Sequence, residues 1–198
     1  MIGRISAVTM PTRRTALALA LACTALAACT TTGPGTEGSA SAKRAEIDAG
    51  VNGALARLYE SHPDSRELVA RASGVLVFPK VVSVSFGVGG EHGDGALRMR
   101  GGTVGYYSTS TGSIGFQAGA QSKAIIMLFM TPEALAKFRD SKGWTVGADA
   151  TVAVADIGAT GKIDTKTAQQ PIIGFVMSNA GLMAGVSLQG AKITKLDL

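Results

Sequence analysis

The sequence predicts an α+β fold: a strongly curved antiparallel β-sheet or small β-barrel, with an N-terminal amphipathic helix and one or two further short helices. Three observations predict it. Ile47, Val51, Leu55 and Leu58 recur at helical spacing within residues 43–61, which makes one apolar stripe on a helix. From Gly74 onward the pattern changes to short β-favouring runs separated by glycine. Twenty of the 26 glycines lie between Gly74 and Gly190. Many of them fall inside strands, where glycine is costly unless a bulge, tight coiling or the close approach of another backbone requires it.

The first helix, residues 43–61, carries Lys43, Arg44, Asp48, Arg57 and Glu60 beside its apolar stripe. Asp64-x-x-Glu67 reads as the capping box of a second short helix that continues through Leu68, Val69 and Ala72. A strand over 75–78 stops at Pro79, and further strands are expected over 81–88, 103–108, 113–120 and 124–130. Thr131-Pro132-Glu133 supplies an N-cap, a proline at the first helical position and an acid in the first turn, so a helix runs through Leu135 and Phe138 and closes at Gly143. Strands resume over 144–156, 172–178, 182–189 and 192–196. Only ten aromatic residues occur in the chain, too few for the two interfacial girdles of a membrane-spanning barrel.

Arg13-Arg14 precede an apolar run over 16–28 that is too short to span a bilayer and reads as an export signal. It ends in Leu26-Ala27-Ala28-Cys29, which resembles the lipobox of bacterial lipoproteins. That resemblance implies a signal peptide over 1–28, with Cys29 acylated, palmitate-like, as the lipid anchor. Residues 29–42 are then a flexible tether rich in Thr, Gly, Ser and Ala, and 43–198 the folded domain. Without the leader, sixteen Lys+Arg face fourteen Asp+Glu, a net charge of +2. No basic run longer than two remains, which argues against nucleic acid as a partner. Cys23 and Cys29 both lie at or before the cleavage point, so the domain offers no disulfide and no thiol nucleophile.

The stretch Gly87-Val-Gly-Gly-Glu-His-Gly-Asp-Gly95 holds the densest set of potential ligands. Glu91, His92 and Asp94 on one turn cannot converge on a metal without distant partners, and the only other histidine is His62. The stretch reads as a polar hairpin with glycines at positive φ. No Gly-x-Ser-x-Gly elbow occurs, and Gly158-Ala-Thr-Gly-Lys162 lacks the spacing of a phosphate loop. The expectation is a non-enzyme with no cofactor and no metal. In Leu97-Arg98-Met99-Arg100, strand alternation puts both arginines on one face, available to phosphate or as solvated edge charges.

Arg71-Ala-Ser-Gly-Val-Leu-Val-Phe-Pro-Lys80 and Gly181-Leu-Met-Ala-Gly-Val-Ser-Leu-Gln-Gly190, with "GSIGFQAGAQS" and "PEALAKF" between them, resemble the SYLF domain over roughly residues 43–196. That domain is found alone in bacterial lipoproteins and fused to Src-homology-3 or FYVE modules in eukaryotes. The resemblance implies a non-enzymatic domain that binds anionic phospholipid, phosphoinositides in eukaryotic members, largely through a basic amphipathic helix at its N-terminal side. Actin association, known in some members, is not expected of an exported protein. Gln189, Met183 and Tyr106-Tyr107 depart from the eukaryotic pattern.

The residues expected to meet lipid head groups are Lys43, Arg44, Arg57, Arg98 and Arg100. The expected partner is anionic membrane phospholipid, and the alternative is a structural envelope lipoprotein docked on another protein. Thr30 follows the anchor, and familiar lipoproteins held at the inner membrane carry Asp there. The expected location is therefore the outer membrane, with the domain in the periplasm.

Overall fold

Three runs of the sequence, around 75–78, 124–129 and 172–177, are apolar at nearly every position because the strands they form are buried on both faces. The computed structural model describes residues 37–155, 163, 165–183 and 185–198, with Glu37–Leu198 as one compact unit. The expected leader, Cys29, most of the expected tether and the 158–162 stretch lie outside the described residues. The elements are α1 (Glu37–Ser61), α2 (Ser65–Arg71), β1 (Gly74–Met99), β2 (Gly102–Phe129), α3 (Pro132–Asp140), β3 (Trp144–Thr145), β4 (Ala153–Val154), α4 (Thr165–Ala168), β5 (Ile172–Ser178), β6 (Gly181–Leu182) and β7 (Lys192–Leu196).

The fold is α+β, with a strongly curled, mostly antiparallel sheet in the order β3-β7-β2-β5-β4. β1 pairs with β2 along its length, and β4 adds to β5 in parallel, so the sheet is mixed. Alternate residues divide between two cores. Val75, Val77, Ile126, Leu128, Ile173 and Phe175 pack against Val51, Leu55 and Leu58 of α1 and Leu68 of α2. On the opposite face Leu76, Phe78, Met127, Phe129 and Ile193 meet Phe138 of α3 and Trp144. There Phe138 lies 4.9 Å from Phe129 and 5.5 Å from Trp144 between ring centroids.

Several expectations are corrected. Two long strands replace the short ones expected between 75 and 130. Pro79 does not end β1, because it sits at a register break between Phe78 and Val81, where a missing N–H costs no ladder bond. The 87–95 stretch is not a hairpin turn; it is the middle of β1, paired from Gly89↔Ser113 to Gly95↔Tyr107.

The hairpin turn is Arg100-Gly101, at φ 50° and 83°, values of a type I′ turn. Arg100 therefore does not continue the strand face of Arg98. Asp64 makes no side-chain cap; Ser65 Oγ instead donates to the His62 carbonyl at 2.6 Å. Among the described residues the strand expected over 144–156 is reduced to β3 and β4, and that over 182–189 to the end of β6. α1 is already helical at Glu37, the first described residue, upstream of the expected residue 43.

Two glycines of the 87–95 stretch, Gly93 and Gly95, have a steric cause. β1 folds back so that its second half crosses its first: a Cβ on Gly93 would lie 2.6 Å from the Lys80 carbonyl oxygen, and one on Gly95 would overlap that of Val77. Neither residue has positive φ, so close backbone approach is what demands glycine there.

Candidate functional site

The polar residues of the 87–95 stretch hold this folded ribbon together. The Lys123 ammonium reaches both Glu91 carboxylate oxygens at 2.9 Å, with both side chains largely buried. Asp94 takes Lys43 of α1 at 2.8 Å, and His92 Nε2 lies 3.5 Å from the other Asp94 oxygen. Among the described residues no group of three or more His, Cys, Asp or Glu is placed to hold a metal ion.

The five expected head-group residues do not form one patch. α1 separates them. Lys43 and Arg57 line one groove with Lys80, His92, Glu46 and Asp94. Arg44 donates to the Leu198 carbonyl at 2.9 Å and thereby fixes the C-terminus to α1. Arg98 and Arg100 line a second groove on the other flank of α1, with a volume of about 530 Å³. The apolar stripe of α1 is packed into the core, with Val51, Ala54 and Leu58 fully buried, so it offers no apolar face to a bilayer. What amphipathicity signalled here is sheet packing.

The second groove is built from four elements. Leu55, Ala56 and Tyr59 of α1, Val69 and Ala70 of α2, Ala72 and Val75 give it apolar walls. The β1–β2 turn adds Arg100 and Gly101 to its lining. Arg98 comes from the last residues of β1: its Nη1 donates to Asn52 Oδ1 at 2.7 Å, and its Nη2 to the Asp48 carbonyl at 3.3 Å. Its Nε is buried with no partner, the one such side-chain atom among the described residues.

Asp48 is the hub that orients this corner, and charge pattern alone did not single it out. Its carboxylate accepts from Thr103 Oγ1 at 2.7 Å and from the Tyr106 hydroxyl at 2.8 Å, and lies 3.9 Å from Arg98 Nη2. Burial, then the hydrogen bond to Asp48 and its charge, raise the Tyr106 hydroxyl above the usual tyrosine range. A third guanidinium, Arg66, lies 4.6 Å over the ring of Tyr59. Burial raises the Tyr59 hydroxyl as well, and the charges of Arg66 and Arg98 partly offset it.

Arg100 makes no hydrogen bond or ion pair with any described residue, and it occupies the left-handed region at φ 50°. A non-glycine residue there costs roughly 1–2 kcal/mol, and asparagine before glycine is the favoured choice in such a turn. An exposed arginine in that position is a local cost with no local partner.

Residues 110–197 match the family model described as Ysc84: Las17-binding protein actin regulator. This stretch is a Ysc84 (SYLF) domain match. It bears out the SYLF resemblance and runs from within β2 to the end of β7. None of Lys43, Arg44, Arg57, Arg98 and Arg100 lies within the Ysc84 match. The arginine-lined groove is therefore built from the N-terminal elements that precede the matched stretch. No curated protein matches the chain.

Proposed function

We propose that this chain is a non-enzymatic envelope lipoprotein whose domain binds anionic phospholipid, anchored through acylated Cys29 at the outer membrane with the domain in the periplasm. The observation that carries the lipid reading is the groove beside α1: Arg98 and Arg100 in its lining, Arg100 exposed and without a partner among the described residues, beside apolar walls. Guanidinium forks match phosphate oxygens bidentately, and apolar walls suit the acyl region beneath a head group. The resemblance to SYLF domains supports the same reading. The family model's description names an actin regulator, but an export leader separates this chain from actin.

A docking role has one observation in its favour: Val82 and Val84, on one face of β1, are 37% and 57% exposed. Sedimentation separates the two readings. The chain from Thr30 to Leu198, which lacks the leader and the acylation site, should pellet with acidic vesicles, stay in solution with neutral ones and be released as salt shortens the screening length to below ~8 Å. Equal pelleting with both vesicle types, or with neither, would favour docking on a protein.

A further inference from the structure

We infer that the groove between α1, α2 and the β1–β2 turn is a site for one molecule of a phosphate-headed, single-chain amphiphile of the lysophospholipid class. The inference rests on the anionic-lipid reading and narrows it from a bilayer surface to a discrete site.

Three features point to a single molecule. The site is concave: its volume of about 530 Å³ lies within the range of small-molecule pockets, whereas a bilayer surface would need no cavity. Its lining is of two kinds, with Leu55, Val69 and Val75 apolar and Arg98 and Arg100 cationic. The charge is also unbalanced. Arg98 and Arg100 line the groove and Arg66 stacks on the ring of Tyr59, itself a lining residue, while Asp48, the carboxylate paired with Arg98, is already committed to Thr103 and Tyr106. Arg98 spends its Nη groups on Asn52 and Asp48; Arg100, exposed, has no hydrogen-bond or ion-pair partner among the described residues. A phosphate at the Arg100 fork would take charge-assisted bonds from it, with the Arg98 charge alongside in the same lining, and its chain would cover the apolar wall.

The unfavourable φ of Arg100 fits this role, since strain kept at a turn without structural return points to function. Replacing it by asparagine restores the preferred turn and removes only the fork.

The test is calorimetric titration of the Thr30–Leu198 chain with lysophosphatidylglycerol below its critical micelle concentration. Saturable one-to-one binding is expected, at least tenfold tighter than for lysophosphatidylcholine of the same chain length, and weakening roughly tenfold for every two methylenes removed, as ~0.8 kcal/mol per buried CH₂ requires. Arg100→Asn should weaken it tenfold or more while the melting temperature holds or rises. Ala56→Trp, which fills the groove from an exposed helix position, should weaken it as much without lowering the melt. Equal affinity for the two head groups, or Arg100→Asn binding like wild type, would overturn the site. If acidic vesicles pellet the chain but monomeric lysolipid does not bind, the single-molecule site fails and the surface reading stands. If neither binds, both fail.

Discussion

Replacing Gly95 by alanine tests whether β1 really folds across itself. Gly95 does not have positive φ, so alanine meets no backbone penalty there, and whatever the substitution costs comes from space. The added Cβ would overlap the Val77 carbonyl oxygen and lie 2.6 Å from Phe78 Cδ1 and 2.9 Å from the Val77 carbonyl carbon. Two of those three atoms are backbone in a strand held by β2, so they cannot rotate aside. Overpacking of this kind costs ~1–3 kcal/mol, and the rigid wall places Gly95→Ala at the upper end, about 3 kcal/mol. For a domain of this size that lowers the melting temperature by roughly 6–12 °C.

Gly90 supplies the control within the same stretch, since its Cβ would meet only the Thr111 carbonyl oxygen at 3.8 Å, an ordinary contact. Gly90→Ala should fall within about 0.5 kcal/mol of wild type, or gain slightly through the unfolded chain. Urea unfolding followed by circular dichroism, with unchanged slope, measures both. If the two variants unfold at the same midpoint, the crossing of the strand halves is wrong.

Other outcomes follow from the polar contacts. Asp48→Ala removes the acceptor shared by Thr103, Tyr106 and Arg98 and should cost about 2 kcal/mol by urea unfolding; a loss under 0.5 kcal/mol would remove Asp48 as the hub. Glu91→Ala strands Lys123 in a largely buried position and should cost roughly 1–2 kcal/mol, whereas His92→Ala, at an exposed side chain, should change stability by less than about 0.5 kcal/mol. The reverse ranking would contradict the structural role given to the stretch. All three tyrosines have hydroxyls raised above their usual value of 10.0, each chiefly by burial. The folded chain then keeps protons that the unfolded chain releases, so stability falls as pH rises past 10. Tyrosinate absorbance should appear at higher pH in the native protein than in denaturant, and a tyrosine ionising at or below 10 in the native protein would refute this.

Local signals read well where the chemistry is local. Thr131 does cap α3, accepting from the Ala134 N–H at 3.2 Å, with Pro132 at its first position. β5 and β7 fall on the expected residues. Strand glycines in general read as marks of coiling or close approach, but those of 87–95 read as turn glycines at positive φ, because nothing local reveals the backbone at Val77 and Lys80 that Gly95 and Gly93 meet. Pro79 read as a terminator because nothing local reveals that a bulge receives it. Arg100-Gly101 was missed as the turn because arginine is an unfavoured residue at positive φ, so the usual Asn-Gly signal is absent. Strand alternation in 97–100 puts Arg98 and Arg100 on one face, which they do not share because Arg100 lies in the turn. Asp48, Asn52 and the groove itself depend on α1 packing beside the returning half of β1. Contacts between residues 46 to 58 positions apart leave no periodic trace in sequence. The stripe of α1 was legible as apolar, but periodicity does not say whether a sheet or a membrane covers it.

The central claim, anionic lipid held by the arginines beside α1, is met most directly by co-sedimentation of the Arg66→Gln/Arg100→Asn double variant with acidic vesicles at physiological salt. Each basic residue near an anionic surface contributes on the order of 1 kcal/mol, so losing two should reduce the vesicle-bound fraction by a partition factor of about thirty, with the circular-dichroism melt unchanged or raised. Wild-type binding by the double variant would contradict the account.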